Sequence, residues 1–440
     1  MNSEKQQLSK ERNPWLFIPS QYFAEGLPYI LVNVLSVVML KSMDVSNELI
    51  GYTSFLYIPW SIKLFWAPYV DANMTKRKWV WLMQLILAVC FAVTAVLVHM
   101  PFFYTMILVI FSITAFISAT HDIATDGFYL HALDEKQQAF FTGIRATFYR
   151  LSMIFGSGLL VIVAGNIGDS TGDAALGWSV AFIISAVLFI IFFIYHKIIL
   201  PRPKTDKPVK EADAIPFARA FSTYFKQDKI IIILLFILLY RLGEGLLVKM
   251  AQPFLLDSTA AGGLNIGVSE VGFMYGTVGV FSLVVGGVLG GWLIKKYTLK
   301  KLIWSMAFFM NLPNALYVWL AYSLPDSSFT IDFSIISSGW IISLNSFAQI
   351  VIIIEQFGYG LGFTAFMVYL LYISKGEYKT SHFAISTGFM AVGMMIPGFI
   401  SGILEEAVGY LSLFTISVIS TIPGMLLIYF LPYKSGKQEN

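Results

Sequence analysis

The chain has 440 residues, of which 57% are hydrophobic and only 12% charged. That is about half the ~25% charged share of soluble domains, so a polar shell cannot be built, and an ordinary soluble enzyme, a disordered chain and a coiled coil are all excluded. The net charge of +3 is too small to point to nucleic acid. The single cysteine, Cys90, lies in an apolar run and reads as a small buried hydrophobe, which excludes a disulfide framework or a cysteine metal cluster. A spanning helix takes about 20 apolar residues, so twelve need roughly 240, and short loops fill the rest. The composition is that of a polytopic all-α membrane protein.

The first fifteen residues are polar and mixed in charge. The apolar stretch over 15–40 is too long for a signal-peptide core and ends without a small-residue cleavage site, so it reads as a retained first span. Further spans are expected at 49–70, 79–98, 102–130, 138–165 and 177–199, then at 229–256, 269–293, 300–322, 345–373, 380–404 and 409–431. Between the two sets, Pro201–Asp228 carries four prolines, six basic and four acidic residues, a solvated linker with a short surface helix near Phe217–Phe225. The expected division is an N-terminal six-helix half (1–200), a cytoplasmic linker (201–228) and a C-terminal six-helix half (229–440). Segment 326–345 reads as an external loop or an interfacial helix. Basic residues orient the bundle. One side holds Lys76, Arg77, Lys78, Lys136, the linker, Lys295, Lys296, Lys300, Lys301, Lys375, Lys379, Lys434 and Lys437, whereas the other is acidic, with Lys41 its only basic residue. Both termini are therefore expected in the cytoplasm.

The halves repeat one another. Ala24-Glu25-Gly26-Leu27 in the first span matches Gly243-Glu244-Gly245-Leu246 in the seventh. Ala67-x3-Asp71-x4-Lys76-Arg77 matches Gly291-x3-Lys295-x4-Lys300-Lys301 in spacing, with the acid replaced. Two six-helix halves related by a membrane-normal axis, with substrate between them, is the plan of major facilitator transporters, and the paired loops resemble the short loop motif of that superfamily. Asp71, Lys76, Arg77, Arg145 and Lys63 are assigned to gating, with Asp71 capping or salt-bridging a helix end.

Charges within spans are costly and face a cavity or a partner. Glu25, Arg150 and Glu355 fall near mid-depth, and Arg241 and Glu244, three apart, share a helix face. Asp122 and Asp126, four apart, also share a face, and two crowded carboxylates favour holding a proton between them. They are assigned to proton coupling with Glu25, or alternatively to a salt-bridged gate latch. Arg150 and Glu25 are expected to pair while the site is empty. Arg150, Tyr149, Tyr22, Tyr29, Glu355, Tyr359, Arg241 and Glu244 are assigned to substrate binding: aromatic faces suit sugar rings, and a guanidinium suits a carboxylate. No catalytic motif appears, and the longest polar segment is far too short for an ATPase domain. Glycine-rich runs such as Gly286-Gly287 lie inside spans and suit close helix packing.

At these residues the chain resembles the AmpG-type muropeptide permeases of the major facilitator superfamily. The matching pieces are Tyr22-Phe-Ala-Glu25-Gly-Leu-Pro28, Lys63-Leu-Phe-Trp66-Ala-Pro68-x2-Asp71, Ser118-Ala-x2-Asp122-Ile-x2-Asp126, Tyr149-Arg150-Leu and Glu355-x4-Gly360-Leu-Gly362-Phe-x-Ala365-Phe. The resemblance implies proton-coupled import of anhydro-muropeptides, the disaccharide-peptide fragments of wall turnover, across the inner membrane. It implies a monomer without cofactor, metal or nucleic-acid partner, working with its substrate, protons and the lipid bilayer. A carrier for a siderophore or coenzyme A ester, and a non-transporting receptor for such a ligand, remain open as alternatives.

Overall fold

The structure is a computed structural model that describes residues 12–208, 217–325, 328–332, 341–374 and 378–432. Its helical rods are α1 (Pro14–Ser42), α2 (residues 47–73), α3 (Lys76–Leu97), α4 (Phe103–Ala132), α5 (Lys136–Thr171), α6 (Ala174–Ile199), α7 (Ile230–Leu256), α8 (Val268–Tyr297), α9 (Leu299–Ser323) and α10 (Ser346–Ile373). Lys379–Leu427 follows as two rods meeting at Gly409, whose φ of 76° breaks the helix; residues 379–408 are α11 and 410–427 are α12. Among the described residues nine helical stretches are long and apolar enough to cross a membrane, the last of them containing both α11 and α12. The other two rods fall below that measure. The first, α2, is broken into short α and 3₁₀ pieces, and the second, α9, carries Lys300, Lys301, Asn311, Pro313 and Asn314.

Side-chain caps set several of the helix starts. Thr75 accepts from the Lys78 amide ahead of α3, Asp134 and Gln137 form a capping box ahead of α5, and Asp173 caps α6; each satisfies backbone donors that no helix bond reaches. In the N-terminal half Phe91, Phe111, Phe182 and Phe189 interlock between α3, α4 and α6. Beside them a buried polar string, Ser20–His196–Gln84–His121, ties α1, α6, α3 and α4 through contacts of 2.9 to 3.1 Å. In the C-terminal half Phe236, Tyr240, Phe366 and Tyr369 fill the space between α7 and α10. The repeated glutamate-glycine pairs occupy equivalent places. Gly26 of α1 lies against Tyr149 and Ser152 of α5, and Gly245 of α7 against Met394 and Pro397 of α11.

The halves meet at two crossings. In one, α5 and α8 each widen to a π-turn, at Ile154–Leu159 and Met274–Gly279. Gly158 and Gly276 touch there so closely that a Cβ on Gly276 would fall on the Gly158 backbone. In the other, Gly402 of α11 lies on the Asn47 backbone of α2, and Gly51 of α2 on the carbonyl of Phe399. A polar latch seals the same end. Lys41 pairs with Asp257 (2.7 Å), Asn47 donates to Glu405 (2.6 Å) and Tyr410 (2.8 Å), Tyr410 donates to Asp257 (2.6 Å), and the Glu48 amide donates to Glu406 (2.9 Å). Toward the opposite end the α5/α8 crossing spreads. By Gly287 only the Arg150 side chain reaches across, 3.6 Å from where a Cβ would stand, and Gly291 one turn on has nothing within 4 Å.

One expectation is corrected here. Within segment 326–345, read as an external loop or an interfacial helix, Ser328–Asp332 and Ile341–Asn345 pair as antiparallel strands β1 and β2, with Ile331 opposite Ile342. Pairing satisfies the backbone of an apolar stretch too short to span. The linker, expected to be solvated, carries the expected short helix and is held at two points. Asp206 accepts from the Lys76 and Arg77 amides (2.7 and 3.0 Å), and Tyr224 of the helix Phe217–Phe225 bonds Ser386 of α11 (2.9 Å). Residues 209–216 of the linker, Asp326 and 333–340 of the hairpin segment, and Lys375, Lys434 and Lys437 lie outside the described residues.

Overfilling a close-packed contact costs about 1–3 kcal/mol, enough to shift a two-state population roughly five- to hundredfold. Gly276→Leu is therefore expected to open the latched end. Spin labels at the exposed Ser46 and Ala407 should move apart relative to the unsubstituted protein. An unchanged distance would show that the glycine crossing does not hold this end shut.

Candidate functional site

Between the halves lies a cavity of two joined lobes, of about 420 and 290 Å³. Tyr29, Met153, Leu283, Tyr359 and Phe363 belong to both. The larger lobe adds Tyr22, Glu25, Arg145, Tyr149, Arg150 and Gly287; the smaller adds Asn33, Tyr57, Arg241, Glu244, Lys249, Gln252, Tyr275 and Gln356. Helices α1, α5, α7, α8 and α10 thus each contribute wall, which the equivalent glycine contacts of α1 with α5 and of α7 with α11 make possible.

A carboxylate cluster opens off the larger lobe. Glu25 of α1 and Asp122 and Asp126 of α4 bring carboxylate oxygens within 4.8 Å of one another. The Asp122–Asp126 spacing delivers both acids to the face that α1 covers. Lys63, at a break within α2, pairs with Asp122. Arg145 of α5 donates to Asp126 (3.2 Å) and to the Tyr22 hydroxyl (3.1 Å), which itself donates to Asp126 (3.0 Å). The guanidinium lies over the rings of Tyr22 and Tyr129, 5.1 and 5.2 Å from their centroids, a cation–π placement that keeps it on this wall. Glu25 keeps one oxygen without a hydrogen-bond partner among the described residues. The three acids are the described group with the geometry to hold a cation, and all-oxygen ligands would suit a hard one, but Lys63 and Arg145 already bring positive charge to them.

Across the cavity, Arg241 grips Glu244 through both carboxylate oxygens (2.9 and 2.6 Å), donates to Tyr359 (3.1 Å), and stacks with Tyr359 and Phe363 at 5.2 Å. Glu355 stands behind the wall rather than on it. Tyr275 and Tyr317 each donate to one of its oxygens at 2.8 Å, and Gln356 to the other. Arg150 does not meet Glu25 as expected: it reaches toward Gly287 of α8 and makes no ion pair among the described residues. Glu25 has turned instead to the aspartates, because its azimuth on α1 faces α4. The residues expected to gate all pair within the N-terminal half. Lys63 goes to Asp122, Lys76 to Asp71, Arg145 to Asp126, and Arg77 to the carbonyls of Lys197 and Leu200 on α6. The latch that crosses between the halves, Lys41–Asp257 with Asn47, Glu405 and Tyr410, was missed. The signal was Lys41, the one basic residue on the acidic side. Lys249 was missed too, although it is a charge within a span.

The match to known proteins agrees with this arrangement. Residues 21–352 fit the family model described as Major Facilitator Superfamily. The chain belongs to that superfamily. It is similar along nearly all its length to AmpG-type permeases: 25% identical to the anhydromuropeptide permease of Escherichia coli strain K12 over 92% of this chain and 77% of that protein, and 24% identical to the putative transporter AmpG 2 of Rickettsia typhi over 95% of both. Its fold matches a D-xylose–proton symporter with a TM-score of 0.68 at 11% identity, covering 96% of this chain and 98% of that one. It also matches the nucleoside transporter NupG, with a TM-score of 0.65 at 14% identity, over 98% of this chain and 100% of that one. The protein is a multi-pass membrane carrier for a small molecule, not an enzyme.

Removing one partner of a buried ion pair costs about 3–5 kcal/mol, because the other charge is left uncompensated. Glu244→Gln is therefore expected to lower the thermal midpoint in detergent strongly, and Arg241→Met combined with Glu244→Leu to recover most of it. A double variant that is stable yet inactive in uptake would place the pair at the cargo. One that is stable and active would make it a strut.

Proposed function

We propose that this protein imports anhydro-muropeptides across the inner membrane in symport with protons, working as a monomer with both termini in the cytoplasm. The observation that carries the reading is Glu25, which belongs at once to the cavity wall and to the carboxylate cluster. Three carboxylates face two cations there, Lys63 and Arg145, so one proton brings the group to neutrality, and a neutral group is what low-dielectric surroundings favour. Solvent reaches it from the wide end: the side chains of Asp126 and Arg145 are 46% and 36% exposed. With the basic end in the cytoplasm, the latch closes the outer side and the cavity faces inward.

The walls suit this cargo. Tyr22, Tyr29, Tyr149 and Tyr359 offer ring faces and hydroxyls to sugars, and Arg150 offers an unpaired planar fork to a carboxylate. The full-length similarity to an anhydromuropeptide permease favours wall fragments over siderophores or coenzyme A esters. Gating by the Asp71–Lys76 pair and by Arg77 belongs to the same reading: these groups brace the α2–α3 turn against α6 and the linker, and the C-terminal half would dock on them when the cavity faces outward.

Coupling is tested in proteoliposomes with labelled anhydro-muropeptide. Glu25→Gln, Asp122→Asn and Asp126→Asn should each abolish uphill uptake driven by a proton gradient while keeping counterflow, which moves no net proton. Uphill uptake at the unsubstituted rate in all three would remove the cluster from coupling. Binding without any counterflow in the unsubstituted protein would make it a receptor. Recognition is tested with Arg150→Lys, which loses the two-bond fork. It should weaken binding of a carboxylate-bearing fragment about tenfold or more and leave the fully amidated fragment unaffected. Equal losses for both would reduce Arg150 to a strut.

A further inference from the structure

We infer that Lys249 is a second anion-recognition point in the cavity, so that the cargo carries two anionic groups, one met by Arg150 in the N-terminal half and one by Lys249 in the C-terminal half. The inference rests on the cavity being the cargo site.

Lys249 lies on α7, is only 7% exposed, and lines the smaller lobe. Its ammonium has no hydrogen-bond partner and no ion pair among the described residues. Its chain neighbours are Leu246, Leu247, Val248 and Met250, and a residue of that kind would fill the position without the cost of a buried charge. The other charges on the cavity wall are already matched. Arg241 is closed on Glu244, Arg145 is on Asp126, and Glu25 belongs to the acidic cluster. Among the described residues that leaves Arg150 and Lys249 as the two cations of the cavity wall with no ion pair.

Their placement gives the ligand a direction. Arg150 stands in the larger lobe beside Gly287, where the halves have parted. Lys249 stands in the smaller lobe, eight residues along α7 from Arg241 and eight before the latch residue Asp257. At ~1.5 Å per residue it is about 12 Å from the latch. A ligand anchored at both points lies lengthwise, its aromatic contacts coming from the shared wall of Tyr29, Tyr359 and Phe363, and each half holds one end. A neutral sugar, or a ligand with a single acid, leaves one cation unmet.

The test uses the full chain in detergent, unsubstituted and as Lys249→Met and Lys249→Arg. The probes are an anhydro-disaccharide-peptide with two free carboxylates, the two forms with one or the other carboxylate amidated, and pyrophosphate as an inorganic polyanion. Amidating either carboxylate should weaken binding to the unsubstituted protein about tenfold or more. Lys249→Met should bind the diacid about tenfold worse, become indifferent to amidation of one carboxylate and stay sensitive to the other. Lys249→Arg, which keeps the charge, should keep the preference for the diacid. Without ligand, Lys249→Met should melt no lower than the parent, and thermal stabilisation by pyrophosphate should be lost in it. A parental amide profile in Lys249→Met overturns the inference, as does a parent that neither the diacid nor pyrophosphate stabilises. Pyrophosphate stabilisation that depends on Lys249, together with no binding of any wall fragment, keeps the anion point and removes the muropeptide as cargo.

Discussion

A charge inside an apolar slab has to be met by another charge, a set of hydrogen bonds or water, and the interior of this carrier is arranged around that requirement. Each half answers it differently. The N-terminal half gathers Glu25, Asp122 and Asp126 with Lys63 and Arg145, five ionisable groups in one place with an acid in excess. The C-terminal half closes Arg241 on Glu244 and surrounds Glu355 with the Tyr275 and Tyr317 hydroxyls and the Gln356 amide. The first arrangement changes its charge with one proton, whereas the second is complete as it stands. On the proposed reading this difference divides the labour: the N-terminal half couples, and the C-terminal half supplies wall and, at Lys249, a point for a cargo anion.

The same economy of contact governs the closed end. Where α5 crosses α8 and α2 crosses α11, glycines bring backbone onto backbone, beside side-chain packing such as Tyr52 and Phe55 of α2 against Phe399 of α11. Small residues at such crossings let the helices approach closely. The latch adds hydrogen bonds that water can replace: Asn47 and Tyr410 bridge Asp257 and Glu405, with Lys41 the cation among them. Contacts of this kind suit a joint that has to open. A packed aliphatic seam of equal area would resist it.

Composition sufficed to read the class, because the apolar share of the chain follows from the bilayer and not from packing. The Asp122–Asp126 spacing correctly placed two acids on one face, since helical periodicity is local. What the sequence could not supply is azimuth between helices. Glu25 and Arg150 stand at similar depth, yet Glu25 faces α4 and Arg150 faces α8, and depth counted along each helix is blind to that. The gating residues show the same limit: their types are right for ion pairs, but whether a pair stays within a half or crosses to the other depends on the conformation. The hairpin of β1 and β2 was hidden for another reason, since a short apolar stretch reads alike as strand, loop or interfacial helix. Lys249 needed no structure at all, because the rule that singled out Arg150 applies to it equally.

Glu25 touches both the cavity and the carboxylate cluster, and that adjacency constrains how transport can be ordered on the proposed reading. An anionic cargo entering beside an ionised Glu25 would meet repulsion in a region of low dielectric, where it is least screened. A cargo entering beside a neutral Glu25 meets Arg150 and the tyrosines without that repulsion. Proton binding therefore favours cargo binding, and by reciprocity cargo favours the proton by the same free energy. With the latch closed and Asp126 exposed toward the wide end, the proton in this state exchanges with the side the cavity faces. Release of the proton there leaves Glu25 charged next to the cargo, which weakens the site on the side where delivery has to occur.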